Sequence, residues 1–280
     1  MRIRPLPIVV CLSALLGAAA PAAAQYGAQP ISNRATGETY HVEAGIYFWD
    51  PTPDLVIASE ALGQIADRID FVNDLGIEKS TFRQFRITVR PGTKHKFRFE
   101  FTPVRYEAQK TITRTFVFNG QRYTIGLPVS SEVKWNAYRF GYEWDFVYLD
   151  RGFVGLVLET KYTDVQATLN ANFAGFADTE FTHAKAPIPA IGITGRGYVT
   201  SNISITGEFT GFKLPQIGSD TSANRYSGKY FDFDLYGTVN FTNNFGVDAG
   251  WRSFDVDYLA KSDSGTLKLN GFYFGGKARF

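Results

Sequence analysis

Alternation of apolar and polar side chains with a period of two is the feature that most constrains this chain. It is clearest over residues 229–241, where Phe231 and Phe233 occupy one face and Asp232 and Asp234 the other. Successive side chains of a β-strand point to opposite faces, so this spacing predicts a strand with one apolar and one polar surface. Because similar alternation recurs along the chain, we predict an all-β protein.

The alternation predicts ten strands, at residues 39–49, 82–91, 95–107, 133–148, 153–168, 188–199, 203–213, 227–241, 245–259 and 266–280. Short turn signals link them at 91–94, 150–152, 200–202 and 242–244, and longer links lie at 51–81, 108–132, 169–187, 214–226 and 260–265. Short turns on one side, long loops on the other and an even strand number are typical of bacterial membrane barrels. We therefore predict a single antiparallel transmembrane β-barrel over residues 38–280, with ten strands as the best count and eight or twelve left open.

Three segments need a local interpretation. Asn119-Gly120 lies between apolar runs in residues 115–123 and predicts a hairpin above the membrane, although two further spans would give twelve strands. Residues 55–77 mix apolar and acidic side chains, compatible with a short helix in the first loop. Near Ser253 the apolar set changes phase, which we interpret as a β-bulge.

The first 24 residues have the pattern of a cleaved signal peptide. Arg2 and Arg4 precede an apolar stretch over residues 8–20, and small residues follow at 22–24. We expect residues 25–37 to be a polar, disordered lead-in. The only cysteine, Cys11, would be removed with the signal peptide, so disulfides cannot stabilise the exported chain.

Composition excludes other classes and suggests a role for the aromatic residues. The formal charge of +2 argues against a nucleic-acid binder, and no apolar run after residue 24 is long enough for a spanning helix.

Aromatic residues make up 16% of the chain. We expect the four tryptophans, at positions 49, 135, 144 and 251, to lie mainly at the membrane interfaces. A sugar-binding surface is the alternative.

The last strand alternates through Phe272, Phe274 and Ala278 and closes on Phe280. It resembles the final strand of small Gram-negative outer-membrane barrels of the OmpA and OmpW type. The resemblance covers the architecture of the mature chain and identifies no subfamily. It implies an outer-membrane location, outer-membrane lipids as partners, and a role for Phe280 as a signal to the barrel-assembly machinery.

The polar face of the predicted strands carries charges of both signs that would line the lumen. Unpaired buried charges are costly, so we expect these side chains to pair across a narrow interior. They are Glu43, Arg86, Arg98, Glu100, Arg139, Glu143, Asp145, Glu159, Arg196, Glu208, Asp232, Asp234, Asp248 and Arg252. The same face also carries Arg90, Lys161, Asp255 and Asp257. Ten strands filled in this way would leave at most a narrow, porin-like passage for small solutes.

No catalytic or metal-binding motif is present, and we expect no cofactor. The three histidines are His41, His95 and His183, and only His183, near Asp178 and Glu180, could lie at the outer rim. The sequence thus favours a structural or surface-binding barrel, acting through loops 51–81 and 108–132 on an unidentified extracellular ligand. Two alternatives stay open: an enzyme acting on lipid or peptide at the outer rim, and a soluble exported barrel that carries an apolar ligand.

Overall fold

The computed structural model describes residues 35–58, 67–118, 121–173, 176–218, 225–260 and 263–280. The expected signal peptide and the lead-in up to residue 34 lie outside the described residues. The described strands are β1 (Val42–Ala58), β2 (Ile69–Asp70), β3 (Phe82–Gly92), β4 (His95–Thr111), β5 (Phe116–Phe118), β6 (Gln121–Tyr123), β7 (Pro128–Leu149), β8 (Gly152–Phe173), β9 (Phe176–Tyr198), β10 (Ile203–Ile217), β11 (Tyr226–Asn240), β12 (Phe245–Ala260) and β13 (Asp263–Arg279).

Ten of these strands close into a ring. The order is β1-β3-β4-β7-β8-β9-β10-β11-β12-β13, all neighbours are antiparallel, and β13 pairs back with β1 from Glu43↔Arg279 to Ala58↔Ser264. The predicted all-β antiparallel barrel is confirmed, with ten strands rather than eight or twelve. Closure pairs the strand edges around the ring, apart from the edges of β1 and β4 that extend beyond the short β3. No helix in the described ranges is long and apolar enough to span a membrane.

The two ends of the barrel differ. Tight turns occupy one end, at residues 93–94, 150–151, 199–202 and 241–244, close to the predicted positions. At the other end, β8 runs to Phe173 and β9 starts at Phe176, so the long loop predicted at 169–187 is wrong. These strands have 22 and 23 residues, about twice the ~9–11 that cross a bilayer. The barrel therefore extends well beyond the membrane.

The polarity of the two barrel faces reverses along the strands. Towards the tight turns, Phe140, Phe272 and Phe274 point outward and are 54%, 70% and 63% exposed. Farther along the same strands, Trp135 and Leu269 are buried in the interior. One half thus has the lipid-facing surface of a membrane barrel, whereas the other half has the apolar core and polar exterior of a water-soluble barrel. We call these the membrane half and the upper half.

The change of phase in the apolar pattern near Ser253 marks the point on β12 where the polarity of the two barrel faces reverses. β12 keeps an unbroken register with β11 and β13 from Phe245 to Ala260, so the predicted bulge is wrong. Trp251 points outward, and Phe254 points inward with 3% of its surface exposed. Alternation then gives Asp255 and Asp257 the outward face, which corrects their assignment to the lumen.

A short β3 leaves a notch in the wall of the upper half. β1 pairs with β3 only up to Trp49↔Phe82, and β2 pairs with the free edge of β1 beyond that point. The predicted helix in residues 55–77 is wrong for the described residues, which form the end of β1, the two-residue β2 and turns. The predicted hairpin is confirmed as β5–β6. We call residues 67–81, 112–118 and 121–127 the insert.

Candidate functional site

The interior of the membrane half holds equal numbers of opposite charges among the described residues. The ten cations are Arg86, Arg90, Lys96, Arg98, Arg139, Lys161, Arg196, Arg252, Lys277 and Arg279. The ten acids are Glu38, Glu43, Glu100, Glu143, Asp145, Glu159, Glu208, Asp232, Asp234 and Asp248. We call this set the charge network. A balanced and paired set avoids the large cost of isolated charges in a medium of low dielectric constant.

Arg139 lies at the centre of the charge network. Its guanidinium pairs with Glu159 and Glu208 and lies 3.8 Å from Glu100. Glu208 also accepts a hydrogen bond from Arg98 at 2.5 Å. These side chains come from four strands, β4, β7, β8 and β10, so the bonds connect distant parts of the barrel wall. Arg252 makes a similar bridge, donating to Glu100 at 2.5 Å and to Asp232 at 2.7 Å.

The segment that precedes β1 closes the barrel at the end with the tight turns. Glu38 is 6% exposed, and its carboxylate accepts hydrogen bonds from Arg196 and Tyr198, each at 2.9 Å. Gly37 has φ of +86°, and a Cβ there would collide with the Arg279 guanidinium. The expectation of disorder up to residue 37 is therefore wrong for residues 35–37, which are held by side chains of the barrel wall.

The structure places the fourteen charged residues first predicted for the lumen, from Glu43 to Arg252, inside the barrel, whereas Asp255 and Asp257 face outward. Four further charged side chains, not predicted for the lumen, complete the charge network. Glu38 lies outside any strand, and Lys96 is the second residue of β4, next to a tight turn. Lys277 and Arg279 lie on the inward face of β13, so the alternation of the last strand could have identified them.

Above the charge network the interior becomes an apolar cavity of about 480 Å³. Its floor is aromatic: the rings of Trp135 and Phe254 are 4.7 Å apart, and those of Tyr230 and Phe254 are 5.5 Å apart. Lys161 lies beneath, with its Nζ 4.1 Å from the centre of the Tyr230 ring. The prediction that Trp49 and Trp135 lie at a membrane interface is wrong, because they are 1% and 3% exposed inside the barrel.

The insert is packed against the same apolar core. Phe71, Phe116 and Phe118 are each at most 1% exposed, and the rings of Phe71 and Phe118 are 6.4 Å apart. The two parts of the insert are joined by Arg114, which donates to Asp74 at 2.9 Å and 2.5 Å. The described residues of the two long loops therefore form a packed part of the wall.

The contact between Asp74 and Arg114 should make the insert sensitive to acid. The hydrogen bond from Arg114 holds the pKa of Asp74 below its usual value. A lowered pKa in the folded state stabilises the insert above the pKa of the unfolded chain, about 3.9. This stabilisation is lost as the pH falls through the lowered pKa. Since both groups are partly exposed, the effect is on the order of 1 kcal/mol or less.

Hydrogen exchange of residues 112–118 measures this effect. After correction for the intrinsic exchange rate, protection should fall between pH 5 and pH 3 in the wild type. Asp74→Asn should show less protection at pH 5 and little further change on acidification. Equal pH dependence in both proteins would show that Asp74 does not hold the insert.

Two of the three histidines have described side-chain contacts, both near the tight turns. His95 lies near the tight turns, with Nδ1 2.7 Å from the hydroxyl of Tyr142, and the Nδ1 of His41 is 3.2 Å from the carbonyl oxygen of Arg90. The backbone of His183 lies in β9, paired with Gln166, rather than in a loop. Within the described residues no group of three or more His, Cys, Asp or Glu could hold a metal ion.

Solved structures are similar to this chain in fold. The outer-membrane protease OmpT from Escherichia coli matches with a TM-score of 0.54 and 10% identity, over 89% of this chain and 99% of that one. The chain has the fold of an outer-membrane β-barrel. Ail of Yersinia pestis (TM-score 0.35, 8% identity, 85% and 99% of the two chains) and Neisserial surface protein A (0.32, 12%, 86% and 97%) also match. No protein-family model matches, and a search of curated proteins finds no match.

Proposed function

We propose that this protein is an outer-membrane barrel that is closed to solutes and binds a ligand at the cell surface. The observation that carries the proposal is the charge network. The two cavities found within it have volumes of about 60 Å³ and 20 Å³. That is room for a few water molecules at most. Residues 35–41 narrow the periplasmic end further.

The position of the apolar belt supports the outer-membrane location. Outward phenylalanines surround the membrane half, and the interior there is polar, which is the arrangement that a lipid bilayer requires of a barrel. Outer-membrane lipids would cover this belt. The upper half would then project from the membrane, with its cavity on the extracellular side.

Binding at the surface follows from what the upper half contains. A barrel with a purely structural role in the membrane would need no apolar core beyond the bilayer. In this protein, strands of 22 and 23 residues extend past the bilayer and enclose such a core. The packed insert offers few free loops among the described residues. We therefore assign binding to the cavity rather than to loops 51–81 and 108–132.

Conductance in planar lipid bilayers tests the closure. The purified wild-type barrel should give no steady channel openings. Arg252→Ser should give small openings, because it removes a side chain that reaches Glu100 and Asp232 across the lumen. Arg105→Ser is the matched control, since Arg105 is 61% exposed on the outside of the upper half. Large, steady openings of the wild type would contradict the proposal.

A further inference from the structure

The cavity of the upper half has the size and lining of a site for a small apolar molecule. Its volume of about 480 Å³ lies within the ~300–1,000 Å³ of small-molecule sites. Leu55, Val104, Val133 and Leu267 form its walls above the aromatic floor. A folded protein domain would not fit in this volume.

The charges around the cavity restrict the ligand further. Three charged residues border it. Lys229 and Asp257 are on the outward face, next to the inward Tyr230 and Val256, and Asp263 is the first residue of β13, near the rim. No charged side chain of the described residues lines its deeper part. A charged ligand would therefore lose its hydration without gaining a partner, at a cost of several kcal/mol. The ligand that fits is neutral.

Two side chains of the cavity wall carry buried polar atoms without a hydrogen-bond partner among the described residues. They are the hydroxyl of Tyr106 and the indole Nε1 of Trp135, on side chains that are 2% and 3% exposed. The indole N–H can only donate, and the phenol can donate or accept. Leaving such groups unpaired in a core is costly, so an acceptor on a ligand would satisfy them.

From these three observations we infer that the cavity binds a neutral, mainly apolar small molecule that carries a hydrogen-bond-accepting oxygen. This inference rests on the proposed surface-binding function and names the class of ligand. The ligand enters from the extracellular rim, where Tyr226 and Asp263 line the cavity. Below it, the aromatic floor and the charge network prevent onward passage to the periplasm.

Binding of 2-naphthol and naphthalene to the full barrel in nanodiscs tests the inference. Equilibrium dialysis against empty nanodiscs subtracts partition into lipid. We expect saturable binding of both probes at one site, with 2-naphthol bound more tightly. Tyr106→Phe should weaken binding of 2-naphthol by about fivefold, the value of one neutral hydrogen bond, and leave naphthalene unchanged.

Neighbouring residues of β7 provide a matched pair of variants. Val133 lines the cavity and is 3% exposed, whereas Lys134 points outward. Val133→Trp should reduce the affinity for both probes by about tenfold or more because the indole fills the site. Lys134→Trp should bind like the wild type. A heat-modifiability gel verifies folding, and Val256→Phe replaces Val133→Trp if that variant does not fold.

Two results would overturn the inference: no saturable binding to the wild type, or unchanged binding in a folded cavity-filling variant. Equal effects of Tyr106→Phe on both probes would overturn the assignment of an oxygen-bearing ligand. The conductance experiment is independent of these results. If the wild-type barrel shows no conductance in bilayers and binds neither probe, the proposed closed lumen stands but the inferred class of ligand is wrong. An open wild-type barrel would refute the proposed closure itself.

Discussion

Replacement of Arg139 by methionine is expected to cost the folded barrel about 3–5 kcal/mol, the usual loss when one partner of a buried ion pair is removed. Arg139 faces Glu100, Glu159 and Glu208 and is 6% exposed. Methionine has a similar length and leaves these carboxylates less compensated. Urea unfolding of the barrel in lipid bilayers, followed by tryptophan fluorescence, measures the free energy of unfolding.

Two further variants distinguish a lost ion pair from a general loss of packing. Arg105→Met removes an exposed cation that pairs with Glu107 and Glu132, and should cost no more than about 1 kcal/mol. Arg139→Met combined with Glu159→Gln should recover part of the loss, because Lys161, at 3.5 Å, is then the one cation that pairs with Glu159 among the described residues. If Arg139→Met were as mild as Arg105→Met, the charge network would not stabilise the barrel.

Insertion of an arginine on the outer surface should have opposite consequences at two positions of one strand. Phe140 and Ser130 both point outward on β7, ten residues apart, which is about 33 Å along the strand. Phe140→Arg places a charge in the lipid-facing belt and should cost roughly 2–4 kcal/mol. Ser130→Arg lies on the outside of the upper half, beside Gln109 and Asn170, and should change stability by less than about 0.5 kcal/mol.

Folding into lipid vesicles, measured by urea titration, compares the two variants. A third variant, Val129→Arg, is inward and 3% exposed in the upper half. Val129→Arg should be about as destabilising as Phe140→Arg, because it places a charge in the apolar interior of the upper half, whereas Phe140→Arg places one in the lipid-facing belt. Equal tolerance of arginine at Phe140 and Ser130 would contradict the boundary between the membrane half and the upper half.

The sequence by itself determined the class of fold and the faces of the membrane half. Phe231 and Phe233 lie outward and Asp232 and Asp234 inward because a strand alternates strictly, whatever its partners. The positions of the hairpins with tight turns could also be predicted from the sequence, because turn residues act on the local backbone. The lumen charges followed from the same alternation, because a polar residue opposite a lipid-facing one has only the interior available.

Only the tertiary structure decided where the membrane half ends. A change of phase in the apolar pattern can mean a bulge or a reversal of polarity. The sequence of residues 247–258 is compatible with either structure. The unbroken pairing of Ser253 with Phe233 and Asn270 excludes the bulge. The surroundings of each face, lipid or water outside and charge or apolar core inside, depend on height in the barrel, which no local pattern records.

The partners of the charges and the cavity also depended on closure of the ring. Arg252 reaches Glu100 across 152 positions of sequence, and Glu38 reaches Arg196 across 158. Such pairs are set by the curvature and stagger of ten strands, so the composition of one strand cannot specify them. The cavity exists for the same reason, because its walls come from many strands that meet only when the barrel is closed.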